Sequence, residues 1–457
     1  MQDYVNLRDR QQWRSRRGAS QPHIDACKCT VPLLAGWISE QQEQIVVMSF
    51  WSWRFKMVYD LIVVGGGPAG STCARKAAQL GLDVVLIEKH HHPRRKACGG
   101  GLTTRVRHAL DVDFSPVVER EQCGLRLFSP SGLTVEEVRA ETTGYMVRRE
   151  DFDHLLLREA ERAGATVMEG VAVVDVVENA NTVDVITDEK TYSGRLLVGA
   201  DGVNSTVARR TGIKTRWRDD EICLCIEAAV PMDPEDIVRI VGDPNGSQRV
   251  LIEIYFGALR HGYAWAFGKR AEMSLGIGVL VSELEDLRGA WKRFVLSFEK
   301  RYDVRIDLSA TTAARVPLKG PIDNTIASRV MLVGDAAGFV SPATGEGIYY
   351  AIESGKIAAE IARDIISEVG GVSTETYQQR WQKAFGKDLG VANFLAGMMF
   401  HSIENMEAVC RMAYDDPVMR AYTFELITGA VPYRTSRNRL VKRMLRKHLR
   451  TAIKMIL

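Results

Sequence analysis

The pattern of apolar and polar positions becomes regular only after residue 57 of the 457-residue chain. Residues 59–64 form an apolar run rich in β-branched side chains, which predicts a buried parallel strand. Apolar residues then recur at the three- and four-residue spacing of a helix, at Ala69, Cys73, Ala77 and Leu80. A second apolar run at residues 83–87 completes the pattern of one βαβ unit.

Helical and strand patterns alternate through the middle of the chain. Residues 150–163 have a helical pattern that stops at Gly164, and residues 165–177 predict a strand broken at Gly170. Residues 221–320 predict mainly antiparallel strands around one charged helix.

Towards the C-terminus, residues 329–335 predict another buried strand, residues 347–368 a helix, and the chain from residue 374 a helical region. This order predicts an α/β (α+β) fold: a Rossmann-type domain, an inserted antiparallel β-sheet domain and C-terminal helices. The expected ranges are 57–121, 146–210 and 318–370 for the discontinuous nucleotide-binding domain, 122–145 and 211–317 for the β-rich substrate domain, and 371–457 for the helical region. Residues 1–56 are expected to be a flexible extension or an unused upstream start.

Composition excludes several classes of function. The hydrophobic share of 46% and charged share of 26% are typical of a soluble globular protein, and a net charge of +3 does not favour nucleic-acid binding. No run approaches the ~18 apolar residues that span a bilayer, and the N-terminus lacks a signal-peptide pattern. The eight cysteines lack zinc or iron–sulfur spacing, so we expect no metal and a cytoplasmic protein with reduced thiols.

A glycine-rich turn at residues 65–70 joins the first strand to the first helix. Gly65 allows a tight turn, Gly67 lets the backbone approach a pyrophosphate, and Gly70 permits close helix–strand packing. The pyrophosphate would lie at the helix N-terminus, where free N–H groups and the dipole favour an anion. Glu88, at the end of the second strand, can accept hydrogen bonds from ribose hydroxyls. The turn therefore predicts dinucleotide binding without separating FAD from NAD.

Two later segments favour FAD. Residues 199–205 and 334–338 resemble two segments of the flavoprotein hydroxylase superfamily, the p-hydroxybenzoate hydroxylase kind of fold, in the same order along the chain. The resemblance implies that Asp335 contacts the ribityl chain of FAD. Taken singly, each segment could instead be a simple Gly-Asp turn after a strand.

Three further segments, at residues 96–101, 263–269 and 341–348, together resemble the geranylgeranyl reductase family. That family includes reductases of archaeal membrane lipids and of the chlorophyll side chain. The resemblance extends from residue 57 to at least residue 370. It implies an FAD-dependent enzyme that reduces C=C bonds of a polyprenyl chain.

The same resemblance implies which residues contact the cofactor. Ala69 and Glu88 would bind the adenosine side of FAD, and Ala172 would touch the adenine. Arg148 would contact the flavin, whose isoalloxazine would face backbone N–H groups at the start of the helix near residue 347. In addition to Gly65, Gly67 and Gly70, the implied cofactor-binding residues are Ala69, Glu88, Cys98, Gly99, Gly101, Arg148, Ala172, Asp335, Gly347 and Ile348.

Four residues alternate along one predicted strand of the inserted domain and therefore share a face: Tyr263, Trp265, Phe267 and Lys269. The resemblance implies that they bind substrate by lining a hydrophobic tunnel for the prenyl chain. An ordinary β-sheet core is the alternative. The family usually has proline before the lysine, whereas this chain has Gly268.

Cys98, beside the implied flavin position, has two interpretations. Its thiol could be catalytic, by donating a proton or adjusting the substrate's position. Alternatively, it is an inert thiol that packs under the ring.

A basic amphipathic helix is predicted at the C-terminus. Its basic residues are Arg434, Arg437, Arg439, Lys442, Arg443, Arg446, Lys447, Arg450 and Lys454. Its apolar positions are Val441, Leu445, Leu449, Ile453 and Leu457. Such a helix can lie on an anionic bilayer, or it can pack on the body of the protein through the same apolar residues.

Together these patterns predict an oxidoreductase that hydrogenates isolated C=C bonds of geranylgeranyl chains, most readily on archaeal-type ether lipids. FAD would be reduced by an outside donor, either NADPH bound transiently or reduced ferredoxin, because no second G-x-G-x-x-G occurs. We expect a monomer. The alternatives are an FAD-dependent monooxygenase, a chlorophyll or quinone side-chain reductase, and a non-catalytic prenyl-binding protein.

Overall fold

The structure, a computed structural model, describes residues 58–243 and 245–456. The predicted extension at residues 1–56 lies outside this part of the chain. The strands are β1 (Val58–Val64), β2 (Val84–Glu88), β3 (Gly101–Thr103), β4 (Val118–Phe128), β5 (Thr134–Val138), β6 (Gly144–Val147), β7 (Thr166–Glu169), β8 (Val173–Glu178), β9 (Val183–Thr187), β10 (Thr191–Gly199), β11 (Ile222–Pro231), β12 (Val250–Phe256), β13 (Gly262–Gly268), β14 (Glu272–Leu280), β15 (Thr311–Pro317) and β16 (Val330–Leu332).

Helices follow the strands in an alternating order and then fill the C-terminal part of the chain. They are α1 (Pro68–Gln79), α2 (Thr104–Ala109), α3 (Arg149–Arg162), α4 (Thr206–Arg210), α5 (Pro234–Val241), α6 (Leu287–Tyr302), α7 (Ile348–Ile366), α8 (Thr374–Trp381), α9 (Lys387–Met399), α10 (Ile403–Asp415), α11 (Pro417–Ile427), α12 (Tyr433–Lys447) and α13 (Leu449–Ile456).

The first sheet has the strand order β7-β2-β1-β10-β9-β8, with β16 also paired to β10. Strands β7, β2, β1, β10 and β16 run parallel, whereas β9 and β8 are joined by antiparallel pairing. Helix α1 packs against α7 and α3, and a Cβ on Gly355 would lie only 2.4 Å from the carbonyl oxygen of Ala69. The predicted Rossmann-type βαβ unit is thus confirmed, and so is the break at Gly170, which has φ +78°.

The second sheet has the order β15-β11-β14-β13-β12-β4-β6-β3, with β5 paired to β4. Its pairs are antiparallel except for β4 and β12, which run parallel. Residues 118–121 and 146–147 belong to β4 and β6 of this sheet, although the sequence pattern assigned them to the nucleotide-binding domain. The sheet therefore recruits strands from both sides of the predicted boundaries.

Helices α5 and α6 cover one face of this sheet. The buried residues Ile237 and Trp291 pack there with Ala264 and Ala266 of β13. Helix α5 was not predicted; it begins at the Asp233 cap, whose side chain accepts a hydrogen bond from the N–H of Glu235 (3.0 Å). Covering this face leaves the opposite face of the sheet free to line a cavity.

The C-terminal region is helical, as predicted, but the expected single basic helix is wrong. It is divided at His448 into α12 and α13. The Nε2 atom of His448 and the guanidinium of Arg443 both contact the carboxylate of Asp416, at 3.1 Å and 2.7 Å. This polar anchor ties the chain to the start of α11. The side chain of Lys454 and residue Leu457 lie outside the described residues.

Candidate functional site

Two cavities of about 430 Å³ each adjoin in the structure. One, the turn cavity, is lined by the glycine turn, the end of β2 and the starts of α1 and α7. The other, the sheet cavity, lies against the free face of the second sheet and the C-terminal helices. Their shared wall contains Ala97, Cys98, Gly101, Leu102, Thr103, Ala314, Val316, Gly345 and Glu346.

The glycine turn has the geometry that close contact with a ligand requires. Gly65 has φ +108°, and a Cβ there would lie 2.4 Å from the carbonyl oxygen of Ala200. A Cβ on Gly70 would lie 1.8 Å from the carbonyl oxygen of Gly65. At Gly67, by contrast, a Cβ would meet only Nη2 of Arg94, at 3.8 Å, among the described residues. The backbone is therefore open towards the turn cavity at Gly67 and closed behind it.

The part of the turn cavity beside the glycine turn offers partners for an anionic group and for the hydroxyl groups of a ligand. Helix α1 begins at Gly67 without a side-chain cap, so its first N–H groups remain available to an anion. The buried carboxylate of Glu88 accepts hydrogen bonds from the N–H of Gly66 (2.6 Å) and of His90 (3.0 Å). Each of its oxygens keeps a lone pair for a ligand hydroxyl. Ala69 and Ala172 line the cavity nearby.

The other end of the turn cavity is formed by the loop before α7. Gly347 and Ile348 line it, and α7 begins there without a side-chain cap. Asp335 lines the same wall, and its Oδ1 atom lies 3.6 Å from the position of a Cβ on Gly347. A second helix start thus presents free N–H groups to the turn cavity.

The structure does not bring Arg148 to either cavity. Its side chain is 45% exposed and forms ion pairs with Glu150 and Asp151. The next residue, Arg149, is buried and lines the turn cavity. Its Nε and Nη2 atoms donate to the two carboxylate oxygens of Asp153, at 2.8 Å and 2.9 Å. Sequence reasoning missed Arg149 because one position along a helix start changes the direction of the side chain by a large angle.

Arg149 is held charged against Cys98. Burial alone would lower the pKa of Arg149, but the attraction of Asp153 and then the contact with Cys98 outweigh it and raise the pKa. The N–H of Gly100 lies 3.4 Å from the Sγ atom of Cys98. Cys98 therefore lies at the shared wall with a permanent cation on its turn-cavity side.

The free face of the second sheet presents alternate residues of β13 to the sheet cavity. Tyr263, Trp265 and Phe267 all line it, whereas Ala264 and Ala266 are buried on the opposite face. A Cβ on Gly99 would lie 2.5 Å from Cδ2 of Phe267 and 3.2 Å from Nε1 of Trp265. Gly99, predicted to lie by the cofactor, thus supports the two aromatic rings from the wall.

Lys269 follows the same alternation but lies beyond the end of β13 and does not line the sheet cavity. Its buried Nζ atom is 2.6 Å from Oε1 of Glu272. Gly268 packs tightly, since a Cβ there would lie 2.6 Å from Val241 of α5. Lys269 thus forms an ion pair across the turn between β13 and β14 and packs beside Gly100, and it does not face the sheet cavity.

Two tyrosines bind the dividing loop, residues 341–347, which contributes Gly345 and Glu346 to the shared wall of the two cavities. The hydroxyl of Tyr263 donates to the carbonyl oxygen of Thr344 (2.8 Å). Ser341 Oγ donates to the hydroxyl of Tyr433 (2.8 Å), and Thr344 Oγ1 lies 3.0 Å from the same oxygen. Burial raises the pKa of Tyr433 to about 12, so this hydroxyl stays neutral. No local pattern could have shown that Tyr433, on α12, belongs to this site.

Glu346 and Glu227 are further polar residues that sequence reasoning missed. Glu346 accepts hydrogen bonds from Thr103 (2.5 Å) and from Arg105 at the shared wall. Glu227 lies in the apolar strand β11 and faces the sheet cavity. A charged residue inside an otherwise apolar strand was the available signal for Glu227.

Residues 58–243 match the family described as the FAD binding domain. Together with the open glycine turn and the two free helix starts, this match defines the chain as an FAD-dependent oxidoreductase.

Curated relatives specify the family. The chain is 33% identical over 357 residues to the digeranylgeranylglycerophospholipid reductase of Methanosarcina acetivorans, covering 74% of this chain and 84% of that protein. It is 32% identical over 368 residues to digeranylgeranylglycerophospholipid reductase 1 of Methanococcoides burtonii, covering 76% and 85%. The chain belongs to the digeranylgeranylglycerophospholipid reductase family, which confirms the family resemblance identified from the sequence segments.

Solved structures show the same fold. A geranylgeranyl bacteriochlorophyll reductase-like protein from Thermoplasma acidophilum aligns with a TM-score of 0.72 at 22% identity, covering 87% of this chain and 98% of that chain. A flavin-dependent brominase aligns with a TM-score of 0.64 at 19% identity, covering 86% and 100%. At these identities the likeness concerns the fold, and the predicted fold class is confirmed.

Proposed function

We propose that this protein hydrogenates isolated C=C bonds of geranylgeranyl chains on archaeal-type ether phospholipids, such as digeranylgeranylglycerophospholipid. The observation that carries the proposal is the contact of the two cavities at Cys98. The sheet cavity, whose lining includes apolar and aromatic side chains, shares a wall with the turn cavity. An extended prenyl chain suits such a lining, and the family relatives named above are reductases of this lipid class.

The residues present fit FAD. The open backbone at Gly67 and the start of α1 suit the pyrophosphate, and Glu88 suits the ribose of the adenosine side. Asp335 would hold the ribityl chain, and the N–H groups at Gly347 and Ile348 would face the flavin ring. When bound, FAD supplies the two-electron chemistry of alkene reduction. We propose Arg149, rather than Arg148, as the arginine that this chain places beside the cofactor.

The protein's own contribution is positioning and the exclusion of water. An isolated alkene has no carbonyl for the enzyme to polarise, so its orientation against the cofactor wall has to be fixed by shape. Trp265 and Phe267, which pack against Gly99 with their rings tilted by 39°, form an apolar surface in the sheet cavity. We assign to them, with Tyr263, the binding of the prenyl chain, and to Lys269 a structural role next to it.

Anaerobic incubation of the FAD-loaded protein with geranylgeranyl phospholipid and dithionite is expected to give lipid whose mass rises in steps of two hydrogens. Mass spectrometry measures the product. A Trp265→Ala variant is expected to retain FAD but to reduce lipid at least roughly tenfold more slowly, because it loses a large buried contact surface. Phe394→Ala, which removes an exposed aromatic side chain, is the matched control.

Lipid mass that stays constant in the wild-type protein would contradict the proposed reduction. Oxygen consumption that depends on substrate, with oxygen incorporated into the product, would instead support the monooxygenase alternative. Parallel incubation with a geranylgeranylated chlorophyll or quinone distinguishes the other side-chain substrates. Replacing dithionite by NADPH or by reduced ferredoxin identifies the donor, for which we propose one of these two.

We further propose that the protein acts as a monomer, peripherally, on the cytoplasmic face of a membrane. None of the helices in residues 58–456 is long and apolar enough to cross a bilayer. Four of the five apolar positions of the predicted stripe lie in the described part of the chain, and all four are exposed: Val441, Leu445, Leu449 and Ile453. Exposed basic residues accompany them on the same two helices: Arg434, Lys442, Arg446, Lys447 and Arg450. A stripe of this kind can insert into the headgroup region of an anionic membrane.

Leu445→Glu is expected to weaken binding to vesicles containing anionic phospholipid by roughly tenfold or more, because an exposed leucine that becomes buried on insertion into the membrane contributes about 1.5–3 kcal/mol. Flotation of the full-length, FAD-loaded protein with such vesicles measures the bound fraction. Leu296→Glu is the control, since Leu296 is also exposed but lies on α6, in the substrate sheet domain. Equal loss of binding in both variants, or no loss in either, would count against this surface.

A further inference from the structure

Glu227 is a buried carboxylic residue that the cofactor and substrate assignments above do not use. It lies on β11 with its side chain on the face that lines the sheet cavity. Register pairing places it in one row across the sheet with Thr312, Gly276 and Trp265. Gly276 has no side chain, and a Cβ there would lie 2.0 Å from Cζ2 of Trp265. The indole of Trp265 therefore covers Gly276, the position next to Glu227 in the row.

Hydrogen bonds link Glu227 to that indole. Ser274 Oγ donates to Glu227 Oε1 at 3.1 Å, and Trp265 Nε1 donates to Ser274 Oγ at 3.4 Å. Thr312 Oγ1 lies 3.4 Å from Glu227 Oε2 on the other side. Among the described residues, the hydrogen-bond partners of the carboxyl oxygens are thus hydroxyl groups, which can serve either its neutral or its charged form.

The charged groups that face Glu227 come from two other segments. Arg95, 40% exposed and part of the turn-cavity lining, has its Nη2 atom 3.9 Å from Glu227 Oε2. Lys269 and Glu272 face it from the β13–β14 turn and are paired with each other. Cys225 is the next cavity-facing residue of β11 itself. Burial raises the pKa of Glu227, although Lys269 and Arg95 favour its charged form.

We propose that Glu227 is the general acid of alkene reduction, donating the proton that the second carbon of the C=C bond receives. The proposal rests on the reductase function proposed above. Reduction of one C=C bond requires a hydride and a proton; reduced FAD, when bound, would supply the hydride and so be the two-electron reductant. The π bond breaks, two C–H bonds form, and the carboxylate left on Glu227 regains a proton from water on the side of Arg95.

The position of Glu227 favours it over Cys98 for this step. Cys98 lies at the shared wall beside the guanidinium of Arg149, on the side of the turn cavity. Glu227 lies two strands away from Trp265 in the same row across the sheet, and it belongs to the lining of the sheet cavity. A prenyl chain lying on Trp265 therefore has the shared wall on one side and the Glu227 carboxyl on another.

The test compares Glu227→Gln with Glu227→Asp in the FAD-loaded enzyme reduced by dithionite. Single-turnover reduction of geranylgeranyl phospholipid is expected to slow by about 10²–10⁴-fold in Glu227→Gln, the usual range for loss of a general acid. Glu227→Asp is expected to recover part of the rate. The wild-type rate should fall as pH rises through the pKa of Glu227, because only the protonated form donates; Glu227→Gln should lose this dependence. Glu235→Gln, the same change at an exposed position of α5, is the control.

Infrared spectroscopy of the FAD-loaded protein before lipid is added gives a readout that is independent of turnover. When the pH is raised, the wild-type protein is expected to keep the C=O band of a protonated carboxyl group to a higher pH than an ordinary glutamic acid does, and Glu227→Gln should lack that band. Lipid binding, measured as the fraction of lipid retained on the oxidised protein, should be similar in both.

Several outcomes separate the two proposals. If the wild-type protein reduces no lipid under any condition, the reductase function fails. If it reduces lipid and Glu227→Gln does so at an equal rate with an unchanged pH profile, only the role of Glu227 is overturned. A Cys98→Ser variant that loses the pH dependence while Glu227→Gln keeps it would assign the proton to Cys98 and also overturn the inference.

Discussion

Gly70→Ala is expected to yield protein without bound flavin. The added Cβ would lie 1.8 Å from the carbonyl oxygen of Gly65, which is a backbone atom and cannot rotate away. Gly65 is itself fixed, because its φ is +108° and its N–H donates to the carbonyl oxygen of Ile87 at 2.8 Å. Relief of the clash must therefore separate α1 from β1 and displace the free N–H groups at Gly67.

We expect FAD affinity to fall by at least roughly 100-fold, equivalent to about 2.8 kcal/mol. Flavin absorbance per mole of purified protein, followed by titration of the flavin-free form with FAD, measures the effect. Gly390→Ala is the control, because a Cβ at that position in α9 meets no atom within 4 Å among the described residues. Wild-type FAD content in Gly70→Ala would show that the turn is not where the dinucleotide binds.

Arg149→Met is expected to lower the free energy of unfolding by about 3–5 kcal/mol, whereas Arg148→Met should cost no more than about 1 kcal/mol. The two substitutions are chemically identical and adjacent. Removing Arg149 leaves the fully buried carboxylate of Asp153 with Arg94, at 3.2 Å, as its remaining cation. Removing Arg148 breaks only ion pairs at the surface of α3.

Denaturant unfolding of both variants, with flavin content recorded alongside, measures this difference. Because Arg149 lines the turn cavity, its loss is also expected to weaken FAD binding, and Arg148→Met should leave FAD content unchanged. The reverse order of the two effects would restore Arg148 as the arginine next to the flavin.

The parts of the fold that could be predicted are those set by short-range pattern. The apolar run of β1, the turn at 65–70 and the helical spacing of α1 are contiguous, and each depends on its own residues. The alternation at 263–267 also predicted correctly which side chains of β13 share a face. These features require no knowledge of what lies elsewhere in the chain.

The parts that could not be predicted depend on contacts between distant residues. The parallel pairing of β4 with β12 joins segments more than 120 residues apart, and it moves strands across the predicted domain boundaries. The division of the C-terminal helix at His448 depends on Asp416, which lies 32 positions earlier.

The attachment of the dividing loop to both sides has a consequence for engineering and for evolution within the family. Tyr263 ties that loop to the substrate sheet, and Tyr433 ties it to α12. The C-terminal helices are therefore not an appendage that can be exchanged between relatives to change membrane preference alone. A transplanted α12 without a tyrosine at this position would release one side of the loop, and with it the start of α7 that lines the turn cavity. Chimeras should therefore exchange the dividing loop and α12 together.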